Sequence, residues 1–462
     1  MSDARAVDLA GFIDRQKIGR LHFTVILWCF LVQVADGFDI NAAAFVAPTL
    51  VKEWNLDRSQ LGPLFSASLF AGFFGPPLFG VLSDKFGRRF AIILGTLVFG
   101  VFSLAAVWAH SIDELIMLRF LAGLGMSGAL PITVALTNEY SPRRVRGTLV
   151  MLMFTGSTFG GGIPGLFAGQ LIPVYGWQSV FWIGGLLPLA IGVCLFFALP
   201  ESMKFMSLRS SRRQELAATM ARMEPGYALP ADAHFEIAGE ENKVNFSPKH
   251  LFKGKLALLT PLMWWCFATA TLIFYFINNW IPTILTTAGW PLSHAVWATT
   301  LFQFGGTLGG IAIMRPFDKY GMIPVTILYL VAIPIVACIG LPSNTEPMLL
   351  GLVFLAGFAV LGLNFGNIAC ASNIYPTAIR SYGTGWAFFF GRGGAVLGPL
   401  IGGVLIANKV STERIFYIAA IPLAIAVVVS FIVTRLYSSV YQRPTSDASG
   451  PLPRSAATIA TH

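Results

Sequence analysis

The stretch LHFTVILWCFLVQVADGFDINAAAFVAPTL, residues 21–50, carries two carboxylates, Asp36 and Asp39, and no lysine or arginine. About 20 apolar residues at ~1.5 Å each cover the roughly 30 Å hydrocarbon core of a bilayer, so it reads as a transmembrane helix. Both acids then lie within the membrane. A carboxylate there costs at least ~2.5–3.5 kcal/mol and marks an ion, proton or substrate pathway, unless it is held in a structural pair. Positions 36 and 39 are three apart, so both lean toward one helix face.

The rest of the chain extends this reading. Of 462 residues 55% are hydrophobic and 11% charged, and the mean hydropathy is +0.70. No soluble globular class combines such length with so few charges, so the fold class is an all-α polytopic membrane protein. Twelve spans are expected at 21–50, 59–82, 90–110, 113–139, 146–172, 177–200, 256–287, 292–314, 321–340, 346–375, 379–407 and 411–436. The net charge of +9 is topology rather than a nucleic-acid surface. With the N-terminus in the cytoplasm, 25 of the 31 lysines and arginines fall in cytoplasmic segments and their edges. The positive-inside bias therefore puts both termini in the cytoplasm. The first apolar run is too long for a signal peptide and no small-residue cleavage site follows it, so nothing is expected to be removed. Cys29, Cys194, Cys266, Cys338 and Cys370 all sit in apolar stretches, where cysteine acts as a small hydrophobe. No disulfide framework, metal site or cofactor is expected.

Six spans precede the polar stretch 201–255 and six follow it, which divides the chain into bundles at 1–200 and 256–440, a cytoplasmic linker, and a disordered tail at 441–462. The halves repeat each other. Asp84-Lys85-Phe86-Gly87 recurs as Asp318-Lys319-Tyr320-Gly321, and Tyr140-Ser141-Pro142 with Arg146 recurs as Ile374-Tyr375-Pro376 with Arg380, all at an offset of 234 residues. Parallel repeats of this kind place a substrate site at the midplane between them.

The loop Gly80-Val81-Leu82-Ser83-Asp84-Lys85-Phe86-Gly87-Arg88-Arg89 resembles the signature between the second and third helices of the major facilitator superfamily. Glu139-Tyr140-Ser141-Pro142-Arg143-Arg144-Val145-Arg146-Gly147 and Pro200-Glu201-Ser202 resemble it too. More narrowly, Asp36-Gly37-Phe38-Asp39, Leu118-Arg119-Phe120, Phe302-Gln303-Phe304-Gly305-Gly306 and Gly391-Arg392 resemble the aromatic acid:proton symporter family. That family is typified by bacterial uptake systems for hydroxybenzoate and protocatechuate. The resemblance implies a monomeric transporter of the bacterial inner membrane, importing small aromatic carboxylates with protons for aromatic catabolism. One departure is internal: Asn373 stands where the repeat of Glu139 would be.

Two basic residues lie deep in the spans. Arg119 is six residues in from the outer end of the fourth span, about 9 Å down, which leaves it roughly 21 Å above the inner face. Asp36, fourteen residues up from His22, comes out at about 21 Å as well. They can meet. A guanidinium beside either acid favours the ionised carboxylate while burial favours the protonated one, an opposition that one conformational change can switch. Asp36, Asp39 and Arg119 are therefore the proton-coupling candidates, against the alternative of a fixed ion pair. Arg392 lies thirteen residues into the eleventh span, about 20 Å from the inner face. Its planar fork suits a substrate carboxylate, with pairing to backbone carbonyls or to an acid of the first half as the alternative.

Phe38, Phe274, Tyr275, Trp386 and Phe389 are possible neighbours of a substrate ring, and Phe38, Tyr275 and Trp386 are taken as candidates. Asn278 and Gln303, with Asn279 beside them, could bond a ring hydroxyl or another helix. Asp84 with Arg88, Glu139 with Arg146, and Asp318 and Arg380 in the second half read as a charged cytoplasmic latch. The expectation is a proton symporter of small aromatic carboxylates working by alternating access. A symporter of another solute, such as a sugar or aliphatic acid, is the rival. No His/Cys cluster or nucleophile with a base occurs within the spans, which argues against an enzyme.

Overall fold

The computed structural model describes residues 6–225, 227, 234–236, 248–341, 345–375 and 379–440. The tail at 441–462 and Pro376 lie outside the described residues, as does the side chain of Arg380. Sixteen helices are described: α1 Leu9–Arg15, α2 Arg20–Glu53, α3 Leu61–Ala71, α4 Gly75–Phe86, α5 Arg88–Ala105, α6 Ile112–Tyr140, α7 Arg146–Tyr175, α8 Gln178–Ala198, α9 Met203–Ser207, α10 Arg213–Met223, α11 Leu256–Thr287, α12 Leu292–Tyr320, α13 Ile323–Ile339, α14 Glu346–Ile374, α15 Arg380–Ala407 and α16 Thr412–Val440. Strand β1, Ala6–Asp8, pairs in parallel with β2, His234–Glu236.

Among the described residues ten helices are long and apolar enough to cross a membrane, α3 and α4 counting together. Two more elements complete the twelve. Helix α7 bends by 42° between Gly162 and Phe167, around Gly160-Gly161-Gly162-Ile163-Pro164, where the proline removes one hydrogen bond and the glycines stiffen nothing. Helix α13 has 17 residues, about 25 Å of helix.

The second span, expected to be continuous over 59–82, is broken. It stops at Ala71 and restarts at Gly75 with Pro76 and Pro77 in its first turn. Prolines there cost nothing as a helix start, but they cannot donate to the turn before, so the α-helical ladder lapses over residues 72–74 and i→i+3 bonds carry the span across.

Among the described residues, α2, α3 and α7 of the first half meet α11, α12 and α15 of the second. Helix α2 meets α11 where Asn278 donates to the Asn41 side chain at 2.8 Å. Helix α7 meets α12 where the Thr300 hydroxyl reaches the Gly162 carbonyl at 3.5 Å. Helix α3 meets α15 where the Ser66 hydroxyl donates to the Val396 carbonyl at 2.8 Å, and it reaches α11 where Phe65 packs edge-on against Trp280 with centroids 5.3 Å apart. These contacts lie from mid-helix toward the end that carries Arg58–Gln60 and the turn after Ala407. At the opposite end α1, α9 and α10 pack on the first half. Gln16 donates to Glu224 at 2.9 Å, and the Phe12 and Tyr227 rings lie 4.9 Å apart.

Candidate functional site

A cavity of about 220 Å³ lies between the halves, walled by α2, α3, α6, α11, α14 and α15. Asp36, Asp39 and Arg392 all line it. Helix α2 turns its two acids to different neighbours. Asp39, 7% exposed, is ion-paired with Arg119, itself 2% exposed. The second Arg119 nitrogen donates to the Asp39 backbone carbonyl at 3.0 Å and lies 3.4 Å from Ser68 Oγ. Such a double attachment orders both groups, and removing either one strands a buried charge. Asp36 is half-buried and receives the Ser157 hydroxyl of α7 at 3.3 Å.

Arg392 has no hydrogen bond or ion pair with any described residue, and its guanidinium lies within electrostatic reach of Asp36. The break in the second span makes room for it. A Cβ at Gly72 would run into the Arg392 guanidinium. The remaining walls are mixed: Phe267, Phe388, Met126, Leu130 and Ile368 are apolar, and Ser127, Thr271, Tyr275 and Asn364 are polar.

Several expected site residues lie elsewhere. Phe38 is buried in the hydrophobic core and presses on Gly184 of α8, one position round the helix from the cavity face. Trp386, 38% exposed, stacks with Trp264 at 5.9 Å away from the cavity lining. Asn278 and Gln303 bond between helices: Gln303 donates to Asn278 at 3.2 Å, Asn278 donates to Asn41, and Asn41 donates to the Gly161 carbonyl at 3.0 Å. Of the two uses open to those amides, the helix-to-helix one holds here. Tyr275 does line the cavity.

The charged residues near Gly87 form a network within the first half. Arg88 pairs with Asp84 at 2.9 Å and approaches Glu139 at 3.8 Å, and the Ser202 hydroxyl donates to Glu139. Buried Glu201 accepts the backbone N–H groups of Arg88 at 2.8 Å and Arg89 at 3.1 Å, a carboxylate at the positive end of α5. Gly87, at φ +108°, permits that approach, since a Cβ would meet the Glu201 carboxylate. Arg146 binds the Ser141 carbonyl at 3.2 Å rather than Glu139, because Arg88 and Ser202 already occupy that acid. Asp318 stands at the matching end of α12.

Asn41, Ser157 and Asn364 were not singled out from the sequence, and Glu201 entered only within the Pro200-Glu201-Ser202 motif. The rule that selected Asn278, a polar amide inside a span, selects Asn41 and Asn364 equally well. No comparable signal marks Ser157.

The model of the Major Facilitator Superfamily matches residues 29–369 and 289–459. The chain belongs to that superfamily. Within it the chain is 33% identical over 421 residues to the 4-hydroxybenzoate transporter PcaK of Pseudomonas aeruginosa, covering 91% of this chain and 94% of that one. It is 31% identical over 417 residues to a gallate transporter of Pseudomonas putida, covering 90% and 92%. Among solved structures, a D-xylose-proton symporter matches with TM-score 0.68 at 16% identity, covering 89% of this chain and 97% of that one. A bacterial homolog of the human lysosomal transporter Spinster, inward-facing and unoccupied, matches with TM-score 0.69 at 17% identity, covering 93% and 100%. These likenesses establish a multi-pass transporter built on the superfamily's helical fold.

Proposed function

We propose that the chain is a proton-coupled importer of small aromatic carboxylates. The observation that carries this is the Arg392 guanidinium, unpartnered among the described residues, facing a cavity it shares with Asp36 and the Asp39–Arg119 pair. A half-buried guanidinium without an ion-pair partner within the membrane is costly, and an entering carboxylate relieves it with two parallel hydrogen bonds. At about 220 Å³ the cavity suits a small ring acid better than a large solute, pockets for drug-sized ligands running to ~300–1,000 Å³. The cargoes for which those relatives are named, 4-hydroxybenzoate and gallate, are acids of this kind.

Cargo carboxylate docks on Arg392, and its ring lies against Phe267, Phe388 and the apolar face of α6. Asp36 exchanges the proton; Asp39 and Arg119 set its surroundings. The bundles 1–200 and 256–440 rock about this site, tethered by 201–255, with both termini in the cytoplasm of a bacterial cell and the chain acting as a monomer in the inner membrane. In that orientation the joined helix ends face outward and the form is inward-open. Asp84, Arg88, Glu139, Arg146, Asp318 and Arg380 form the cytoplasmic latch that closes in the opposite form. A monoanion with one proton moves no net charge, whereas a second proton adds about 2.3 kcal/mol per 100 mV.

Uptake of labelled 4-hydroxybenzoate into proteoliposomes tests this. An acid-outside gradient should drive accumulation, Asp36→Asn should keep counterflow while losing accumulation, and Arg392→Ala should lose both. Repeating uptake at clamped potential separates one proton from two. Unchanged accumulation in Asp36→Asn, or unchanged acid binding in Arg392→Ala, sinks the proposal.

A further inference from the structure

Most polar groups on the cavity wall are already engaged. Thr271 Oγ1 lies 2.8 Å from the Phe267 carbonyl and 2.7 Å from the Gly391 carbonyl, either of which takes its one proton. Ser68 is turned to Arg119, and Ser127 lies 3.5 Å from the Ala71 carbonyl. Asn364 is engaged on one side. Its Nδ2 donates to the Val360 carbonyl at 3.0 Å and lies 3.5 Å from the Ala270 carbonyl. That fixes the orientation of the amide, because turning it over would set Oδ1 against two carbonyl oxygens. Asn364 lines the cavity, and its Oδ1 accepts no hydrogen bond from a described residue.

This oxygen is an acceptor with no donor, set in a wall otherwise built to hold a ring. The first half carries Leu130 at the equivalent position, 234 residues earlier, and Leu130 lines the same cavity. At this pair of repeat-related positions the wall is therefore apolar in the first half and hydrogen-bonding in the second. Tyr275, also on the wall, lies within electrostatic reach of Arg392 and Asp36 and belongs with the carboxylate end of a cargo. Asn364 packs instead at Ala270, five residues earlier on α11, which is about 7.5 Å along that helix.

We propose that Asn364 accepts a hydrogen bond from a hydroxyl group on the ring of the cargo, so that the site selects hydroxylated aromatic acids over unsubstituted ones. The proposal rests on the reading of the cargo as an aromatic carboxylate and adds the residue that discriminates within the class. A ring hydroxyl, which titrates near ~10, keeps its proton at neutral pH and donates it. An acid without the hydroxyl leaves Oδ1 dry and unmatched, and sites built to bond a substrate hydroxyl reject the analogue that lacks it.

The test is equilibrium binding of benzoate and the three monohydroxybenzoates to the purified full-length protein. In the unmodified protein at least one hydroxylated isomer should bind about tenfold or more tightly than benzoate. Asn364→Leu, which copies Leu130, should erase that preference while benzoate affinity stays within about threefold, a window well inside the penalty for an unmatched buried acceptor. Asn364→Ala, run beside it, reports the same if the larger side chain does not fold. A preference that survives both substitutions overturns the assignment, as does parallel loss of benzoate and hydroxybenzoates in folded variants. If the unmodified protein binds benzoate as tightly as every isomer, this inference fails alone. If it binds none of the four acids, the cargo reading fails and this inference with it.

Discussion

In the first half, Asp39 holds Arg119 through its carboxylate and its own backbone carbonyl, and the pair is buried. In the second half, Arg392 faces the same cavity with no hydrogen bond or ion pair to a described residue. The repeat sharpens the contrast. At the 234-residue offset Asp36, Asp39 and Arg119 become Ala270, Ile273 and Val353, while Arg392 becomes Thr158 and Asn364 becomes Leu130. Duplication supplied two copies of a helix plan, and the chemistry is divided between them: the closed charge in one copy, the open charge in the other. A closed pair supports structure until a conformational change parts it, whereas an open guanidinium in low dielectric awaits a ligand.

Removing the two arginines should therefore have opposite consequences, and this is the largest effect expected. Arg119→Leu leaves Asp39 buried and unpaired, which costs about 3–5 kcal/mol of stability. Adding Asp39→Leu should recover most of that loss. Arg392→Leu should leave the unfolding temperature in detergent unchanged or higher, because no described partner is stranded, while abolishing acid binding. Equal destabilisation by Arg119→Leu and Arg392→Leu would erase the distinction between closed and open charge.

A second effect concerns the seam between halves. Asn278→Leu strands the Asn41 side-chain oxygen and the Gln303 amide, a loss of about 1–3 kcal/mol that falls on the joined form alone. It should favour separation of the ends carrying Arg58 and Lys409. Spin labels at those two positions should show a longer distance population in the variant. An unchanged distribution would mean that the packing of α7 on α12 and α3 on α15 holds the seam without the amides.

The membrane class and the level of the charges were legible because they depend on period, length and charge, which a sequence displays directly. Asp36, Arg119 and Arg392 could be placed at one depth by counting helical rises from span ends. Rotation about the helix axis was not legible in the same way. Phe38 and Asp39 are adjacent in sequence, yet one faces the core and Gly184 while the other faces the cavity. Hydropathy does not distinguish a buried core face from a buried cavity face. The break at Gly72 was legible in principle from Pro76-Pro77, and it matters because it gives Arg392 its space. Partner choice was the least legible: Glu139 took Arg88 and Ser202 and left Arg146 to a backbone carbonyl, which depends on side-chain reach across three helices.

The smallest effect distinguishes the latch from the site. The Asp84 side chain is 78% exposed, and Arg88 also bonds the Ser83 carbonyl at 3.1 Å and approaches Glu139. Exposed pairs contribute about 0.2–1 kcal/mol, and Arg88 keeps its other partners, so Asp84→Asn should shift the unfolding temperature little. Its effect on transport is a separate matter. If Asp84 serves the latch, its partner in the opposite form lies across the gap between the bundles, and neutralising it weakens that form without touching this one. The variant should then bind 4-hydroxybenzoate as the unmodified protein does, yet accumulate it more slowly, because each cycle must pass through the weakened state. Weaker equilibrium binding, or an unfolding temperature several degrees lower, would instead place Asp84 among the groups that hold the first half together.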